Sequence, residues 1–213
     1  MIIETSAPTR IDLAGGTIDI WPLYLFHEQA MTLNVAISLR AHVTIESRMD
    51  GGLELVSVDT GRRAYGASWR DLDGRSDLPL LALLARHYRL ENTTLTTRGE
   101  SPAGAGIAGS SALTIAVCGA LARWTGQSEA PSDLLQVAMN VECQAIRVPT
   151  GVQDYRPALY GGVAFLRAPQ NRAAAVKLVA EIDRIRELHE QQAAADGGEA
   201  RDRYQPQHYA RLH

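Results

Sequence analysis

Glycine and alanine dominate the run SPAGAGIAGSSAL, Ser101–Leu113, and the chain passes from it straight into an apolar segment. A backbone so poor in side chains can be approached closely and can adopt left-handed conformations at little steric cost, so this loop constrains what precedes and follows it. Three ligand-binding mechanisms compete for it. Residues Gly104–Gly109 satisfy the dinucleotide pattern GxGxxG, with Glu129 at the spacing of a ribose-binding acid. That fingerprint requires a buried apolar strand feeding its first glycine, whereas TTLTTRGESPA is polar and contains Arg98, Glu100 and Pro102. A dinucleotide-dependent oxidoreductase therefore ranks last. A Walker loop requires a lysine before its final hydroxyl residue, and Ser110 follows Gly109 with no lysine in the loop. The third mechanism asks least: consecutive amides at a helix start cradle an anion, and Ser110 or Ser111 binds phosphate or Mg²⁺. A purely structural loop whose small residues permit close helix packing is the alternative.

The size of the chain, 213 residues with 46% hydrophobic and 21% charged, suits one large domain or one domain with an appendage. A net charge of -3 gives no reason to expect nucleic acid or an anionic membrane as partner and leaves small molecules as the expected ligands. Only Cys118 and Cys143 are present, both in apolar or helical surroundings, which points to buried thiols in a reducing compartment. The start MIIETSAPTR is not a targeting segment, and no apolar run reaches the roughly 18–20 residues that cross a bilayer. A cytoplasmic protein is expected.

Strand character dominates the first half: Ile2–Ala7, one or two strands in MTLNVAISLRAHVTIES, then LELVSV and TTLTTRG. Helices are expected over 78–88, 110–124 and 132–147, the last capped by Ser132 behind Pro131 with Asp133 in its first turn. TGVQD breaks that pattern, and YGGVAFLRA reads as a glycine turn followed by a short strand. From Ala168 the chain becomes alanine-rich and polar. Val176, Val179, Ile182, Ile185 and Leu188 form a narrow apolar stripe, so the tail 168–213 is expected to be helical or disordered.

Two further constellations accompany the loop. APTRIDLAGGTIDIWP sets Arg10, the pair Gly15 and Gly16, and Asp19 in a turn after the first strand. An acid there can accept hydrogen bonds from sugar hydroxyls and Arg10 can hold a carboxylate, while a turn or cap role for Asp19 is the plainer reading. In VECQAIRVPTGVQDYRPALYGG, Glu142 lies on a helix and Asp154 follows a glycine turn. Carboxylates from two elements suit Mg²⁺ binding and proton acceptance; the plainer reading is an exposed helix charge and a cap.

Taken in order, the three motifs resemble those of the GHMP kinase superfamily, which includes galactokinases and homoserine, mevalonate and phosphomevalonate kinases, and most nearly its heptose kinases. The resemblance covers about residues 1–167 and rests on APTRIDLAGGTID, SPAGAGIAGSSA and GVQD with the following YGG. It implies an α+β fold like the N-terminal domain of these kinases, the class shared with the second domain of a small-subunit ribosomal protein. It also implies ATP and Mg²⁺ as cofactors and a sugar or sugar-phosphate hydroxyl as acceptor. Pro102, Gly104, Ala105, Gly106, Ile107, Ala108, Gly109, Ser110 and Ser111 would form the ATP-binding loop, with Ser110 and Glu142 on the metal. Asp154 would be the catalytic residue, and Arg10, Gly15, Gly16 and Asp19 would line the acceptor pocket. Trp21, Tyr24 and Phe26 either stack on a sugar face or belong to the core, and Arg147 and Arg156 join Arg10 as candidate readers of an acceptor phosphate.

Two departures stand out. Ala108 occupies the family's second glycine position and Gly109 that of a serine or threonine. Nothing after Arg167 resembles the family's second α+β domain. A chain of this form would act as a kinase, completing its site as a homodimer if need be, or would be a non-catalytic relic that binds nucleotide weakly and acts through association.

Overall fold

A computed structural model describes residues 1–27, 29–72, 77–102 and 104–167, with single helical positions at 184, 187 and 191. The chain divides into units Met1–Gln170 and Asn171–His213, and the elements below belong to the first. The tail expected from 168 onward, with its stripe from Val176 to Leu188, lies outside the described residues.

Strand β1 (Ile2–Ala14) leads through a 3-10 turn (Gly16–Asp19) and a short helix α1 (Leu23–Phe26) into β2 (Met31–Ser47), then β3 (Leu53–Ser57) and β4 (Arg62–Gly66). Helix α2 (Pro79–His87), β5 (Thr93–Gly99), α3 (Gly109–Thr125) and α4 (Pro131–Ile146) follow. A second 3-10 turn (Val152–Asp154), α5 (Arg156–Tyr160) and β6 (Val163–Arg167) complete the elements of the first unit. The sheet runs β1-β2-β5-β3-β4, with β6 beside the first part of β2. Among the described strands only β3 and β5 pair in parallel, so the sheet is mixed.

The alternation Ala41, Val43, Ile45 inward against His42, Thr44, Glu46 outward gives β2 one face for the helices and one for solvent. Leu53, Leu55 and Leu95 extend the inner face, and Leu81, Leu84 and Leu121 pack onto it. Helix α3 lies against β1 and β2 and is buried along most of its length from Ser111 to Ala122, which makes it the central helix. This placement is what carries the glycine loop to the edge of β1.

Several expectations change. Strand β1 continues seven residues past Ala7, with register shifts between Pro8 and Arg10 and between Asp12 and Ala14. An edge strand tolerates Pro8 because its missing N–H is not needed by a second neighbour, so the proline does not end the strand. Arg10 consequently lies within the sheet rather than in the turn. Helix α4 is preceded by Ala130 without a side-chain cap, so Ser132 is not its cap; Pro131 occupies the first turn, where no N–H acceptor is required, and Asp133 is the acid there. Strand β4 and helix α5 are additions, written in RRAYG and RPALY without clear periodicity. Trp21 and Phe26 are exposed and Tyr24 is half-buried, so this cluster is not core. Both cysteines are free; Cys118 is fully buried, and burial pushes its thiol up to about 12, whereas Cys143 is only half-buried. No helix among the described residues is long and apolar enough to cross a membrane.

Candidate functional site

The glycine loop is shaped by left-handed residues. Gly104 and Gly106 have φ of 76° and 71°, and Ala108, which precedes the first residue of α3, has φ 58° and ψ 38°. No side chain caps α3. The amides of Gly109, Ser110 and Ser111 therefore stand at the positive end of a 17-residue helix with no acceptor one turn back among the described residues. The Ala105 amide is engaged by the Pro102 carbonyl, which closes the loop at its start. In front of these amides lies a cavity of about 410 Å³ lined by Asp59, Gly99, Ser101, Pro102, residues 104–110 and Leu113. Glycine at 109 has a local reason: a Cβ there would sit 2.5 Å from Ser101 Oγ. Small residues, open amides and a helix dipole together form a cradle for an anion of several charges.

Beside the cradle, α4 delivers Glu142, only 2% exposed. Ser110 Oγ donates to its Oε1 at 2.6 Å, and Thr114 Oγ1 donates to its Oε2 at 3.3 Å. Ser111 Oγ, at 3.4 Å from Oε1, completes a carboxylate surrounded by hydroxyls. The single Thr114 hydroxyl proton is shared with the Ser110 carbonyl, its nearer acceptor at 2.8 Å, which ties the first turn of α3 to this group. The donors are all oxygen, which suits a small hard cation. No group of three or more His, Cys, Asp and Glu suited to a metal occurs among the described residues. A cation here would thus take one carboxylate, one hydroxyl and the oxygens of its anionic partner, the coordination habit of Mg²⁺.

Arg10 joins the remaining motifs. It is 5% exposed, its backbone N–H donates to Ile107 O at 3.1 Å, and its Nη1 donates to Gly106 O at 3.2 Å. Its Nε donates to Asp154 Oδ1 at 3.0 Å, its Nη2 pairs with the same oxygen, and its Nη1 lies 2.9 Å from Asp12 Oδ2. One buried guanidinium thus links the loop, β1 and the 3-10 turn of Asp154. Asp154 Oδ2 carries no hydrogen bond among the described residues. Burial holds Asp12 above the usual carboxylate range; Arg10 opposes that rise and the Asp154 charge adds to it.

The turn of Gly15, Gly16 and Asp19 meets the turn of Asp154 from the other side. Gly15, at φ 90°, lies so close to β2 that a Cβ would be 2.8 Å from Thr32 Cα. Asp19 faces inward: its Oδ2 accepts from Gln153 N–H at 2.8 Å, and its Oδ1 is buried without a partner among the described residues. Burial raises the Asp19 pKa, the Gln153 N–H lowers it, and the Asp154 charge raises it further. The structure therefore brings Arg10, Asp19, Asp154 and the loop into one neighbourhood, with Ser110 and Glu142 beside the loop. Arg147 and Arg156 make no ion pair among the described residues. Sequence reasoning missed Asp12, Asp59, Thr114, Asn34 and Gly151; only Asp12 carried a signal, its place two residues after Arg10 on one strand face.

Comparison with known proteins shows what the chain is similar to. Residues 78–162 match the model of the GHMP kinases N terminal domain. The chain is 30% identical over 180 residues to the D-glycero-alpha-D-manno-heptose 7-phosphate kinase of Campylobacter jejuni, covering 82% of this chain and 53% of that protein. The crystal structure of a D-glycero-D-manno-heptose 1-phosphate kinase from Bacteroides thetaiotaomicron superposes with a TM-score of 0.69 at 25% identity, over 81% of this chain and 57% of that one. The Methanococcus jannaschii mevalonate kinase shares the fold, with a TM-score of 0.65 at 15% identity over 78% of this chain and 53% of that one. The chain spans about half the length of the curated relative it matches.

Proposed function

We propose that the chain, whose residues 78–162 match the model of the GHMP kinases N terminal domain, binds ATP with Mg²⁺ and transfers the γ-phosphoryl group to a hydroxyl of a sugar or sugar phosphate. The observation that supports this most is Arg10, which holds Asp154 with one part of its guanidinium and the glycine loop with another. Phosphoryl transfer asks a protein mainly for positioning and charge neutralisation, and that link sets the distance between acceptor and donor sites.

In this reading the amides of Gly109, Ser110 and Ser111, with the loop from Pro102 through Gly104 to Ala108, hold the ATP phosphates. Ser110 Oγ and Glu142 hold Mg²⁺, whose bound charge offsets that of the phosphates. The acceptor lies beside Gly15, Gly16 and Asp19. Its hydroxyl oxygen attacks the γ-phosphorus, the bond from that phosphorus to the bridging oxygen breaks, and ADP departs with the electron pair. The hydroxyl proton passes to Asp154 Oδ2, the oxygen that Arg10 leaves free, while Arg10 keeps the carboxylate turned toward it. The similarity to heptose-phosphate kinases makes heptose phosphates the first acceptors to try.

The test is mass-spectrometric detection of phosphoryl transfer from Mg-ATP to hexoses, heptose phosphates, mevalonate and homoserine, run beside Asp154→Asn. Product that requires Mg²⁺ and falls about a hundredfold or more in Asp154→Asn is the expected result. A folded protein that phosphorylates none of these acceptors would remove the proposal in favour of binding without turnover.

A further inference from the structure

We infer that Asn34 and Asp19 are positioning residues that grip the two polar backbone groups of Gln153 and so fix Asp154 next to it; the kinetic part of this inference rests on the phosphoryl-transfer reading. Gln153 is fully buried in the middle of the short turn Val152–Asp154. Its N–H donates to Asp19 Oδ2 at 2.8 Å, and its carbonyl accepts from Asn34 Nδ2 at 3.1 Å. A three-residue turn has little hydrogen bonding of its own, so these outside partners set its orientation.

Asn34 is well placed for such a role. It is fully buried on β2, opposite Asp12 of β1 and Ala164 of β6, where β2 is paired on both sides. The same strand pair thus fixes Asn34 and the strand that carries Arg10. Asp19 reaches the turn only because Gly151 lacks a side chain, since a Cβ there would lie 2.6 Å from Asp19 Cγ. Each is satisfied at only one polar atom: Asn34 Oδ1 and Asp19 Oδ1 are buried without a partner among the described residues. An apolar residue at either position would avoid that penalty, so the polar identity serves the Gln153 peptide rather than the core. Asp154 is then located three ways, through its carboxylate by Arg10 and through its neighbour's N–H and C=O by Asp19 and Asn34.

The direct test is amide hydrogen exchange on the full chain, for wild type, Asp19→Ala, Asp19→Asn and Asn34→Ala, with thermal melting to confirm folding. The Gln153 amide should exchange about tenfold faster in Asp19→Ala, with amides of the β2–β5 ladder unchanged. Asp19→Asn, which keeps an acceptor oxygen, should recover most of that protection. If Asn34→Ala does not fold, the Asp19 pair carries the test. Gln153 exchange that is the same in wild type and Asp19→Ala overturns the inference. In steady-state kinetics, Asn34→Ala should lower kcat about tenfold to a hundredfold with both KM values within about twofold of wild type. A raised acceptor KM with kcat intact would instead make Asn34 an acceptor contact and overturn the positioning role. Absence of turnover in the wild type would remove the kinase reading alone, because the exchange arm still decides whether the grip exists.

Discussion

Gly151→Ala is predicted to change sign depending on whether Asp19 is present. The backbone at Gly151, φ -93° and ψ 155°, is open to any residue, so conformation alone does not oppose alanine. The obstacle is Asp19, whose Cγ and Oδ2 would lie 2.6 and 2.8 Å from the new Cβ. Its carboxylate must move away and release the Gln153 N–H, a hydrogen bond to a charged group that contributes about 1.5–3 kcal/mol. Against this, alanine narrows the unfolded ensemble and stabilises by about 0.4–1 kcal/mol. The net effect is a loss of about 1–2 kcal/mol, or roughly 2–8 °C in melting temperature for a chain of this size. In an Asp19→Ala background the obstacle and the bond are both gone, and the same change should be neutral or stabilise by up to about 1 kcal/mol. Urea denaturation of the four proteins in this double-mutant cycle reads the coupling. Equal destabilisation by Gly151→Ala in both backgrounds would refute the contact.

Three further outcomes are expected. Ala108→Gly relieves a left-handed alanine and should stabilise by about 0.5–1 kcal/mol, read by thermal melting; a lower melting temperature would count against the loop conformation. Thr114→Val removes a fully buried donor to Glu142 and to the Ser110 carbonyl, and should cost about 1–3 kcal/mol in urea unfolding. The raised pKa of Asp19 means that the folded state holds its proton more tightly than the unfolded state, whose value is 3.8. Its contribution is therefore full below pH 3.8 and is lost as pH rises through the higher native value; the stability difference between wild type and Asp19→Asn should fall in that interval and level off above it.

The order of strands and helices was largely written in local pattern. Period-two burial marks β2, small and apolar residues mark α3, and the three motifs show the resemblance to the GHMP kinases without any knowledge of their arrangement. What local pattern could not supply was long-range. Pro8 suggests a strand end, and only the edge position of β1 and its register shift reveal why the strand continues through Arg10. Arg10 itself was legible as a residue that holds a carboxylate, but its partners Asp154 and Gly106 are 144 and 96 residues away. Asn34 and Gly151 gave no signal because their significance is a contact with Gln153 and with Asp19, which no periodicity encodes. Glu142 looks like a surface charge in sequence and proves to be buried among hydroxyls supplied by another helix.

The measurement that bears most directly on the site is ATP binding by calorimetry with and without Mg²⁺, followed by amide chemical-shift mapping and repeated on Glu142→Gln. Binding that needs Mg²⁺, shifts centred on residues 104–111 and weaker affinity in Glu142→Gln are the expected results. ATP that fails to bind, or that binds with equal affinity without Mg²⁺ and shifts residues away from this loop, would contradict the proposed ATP site.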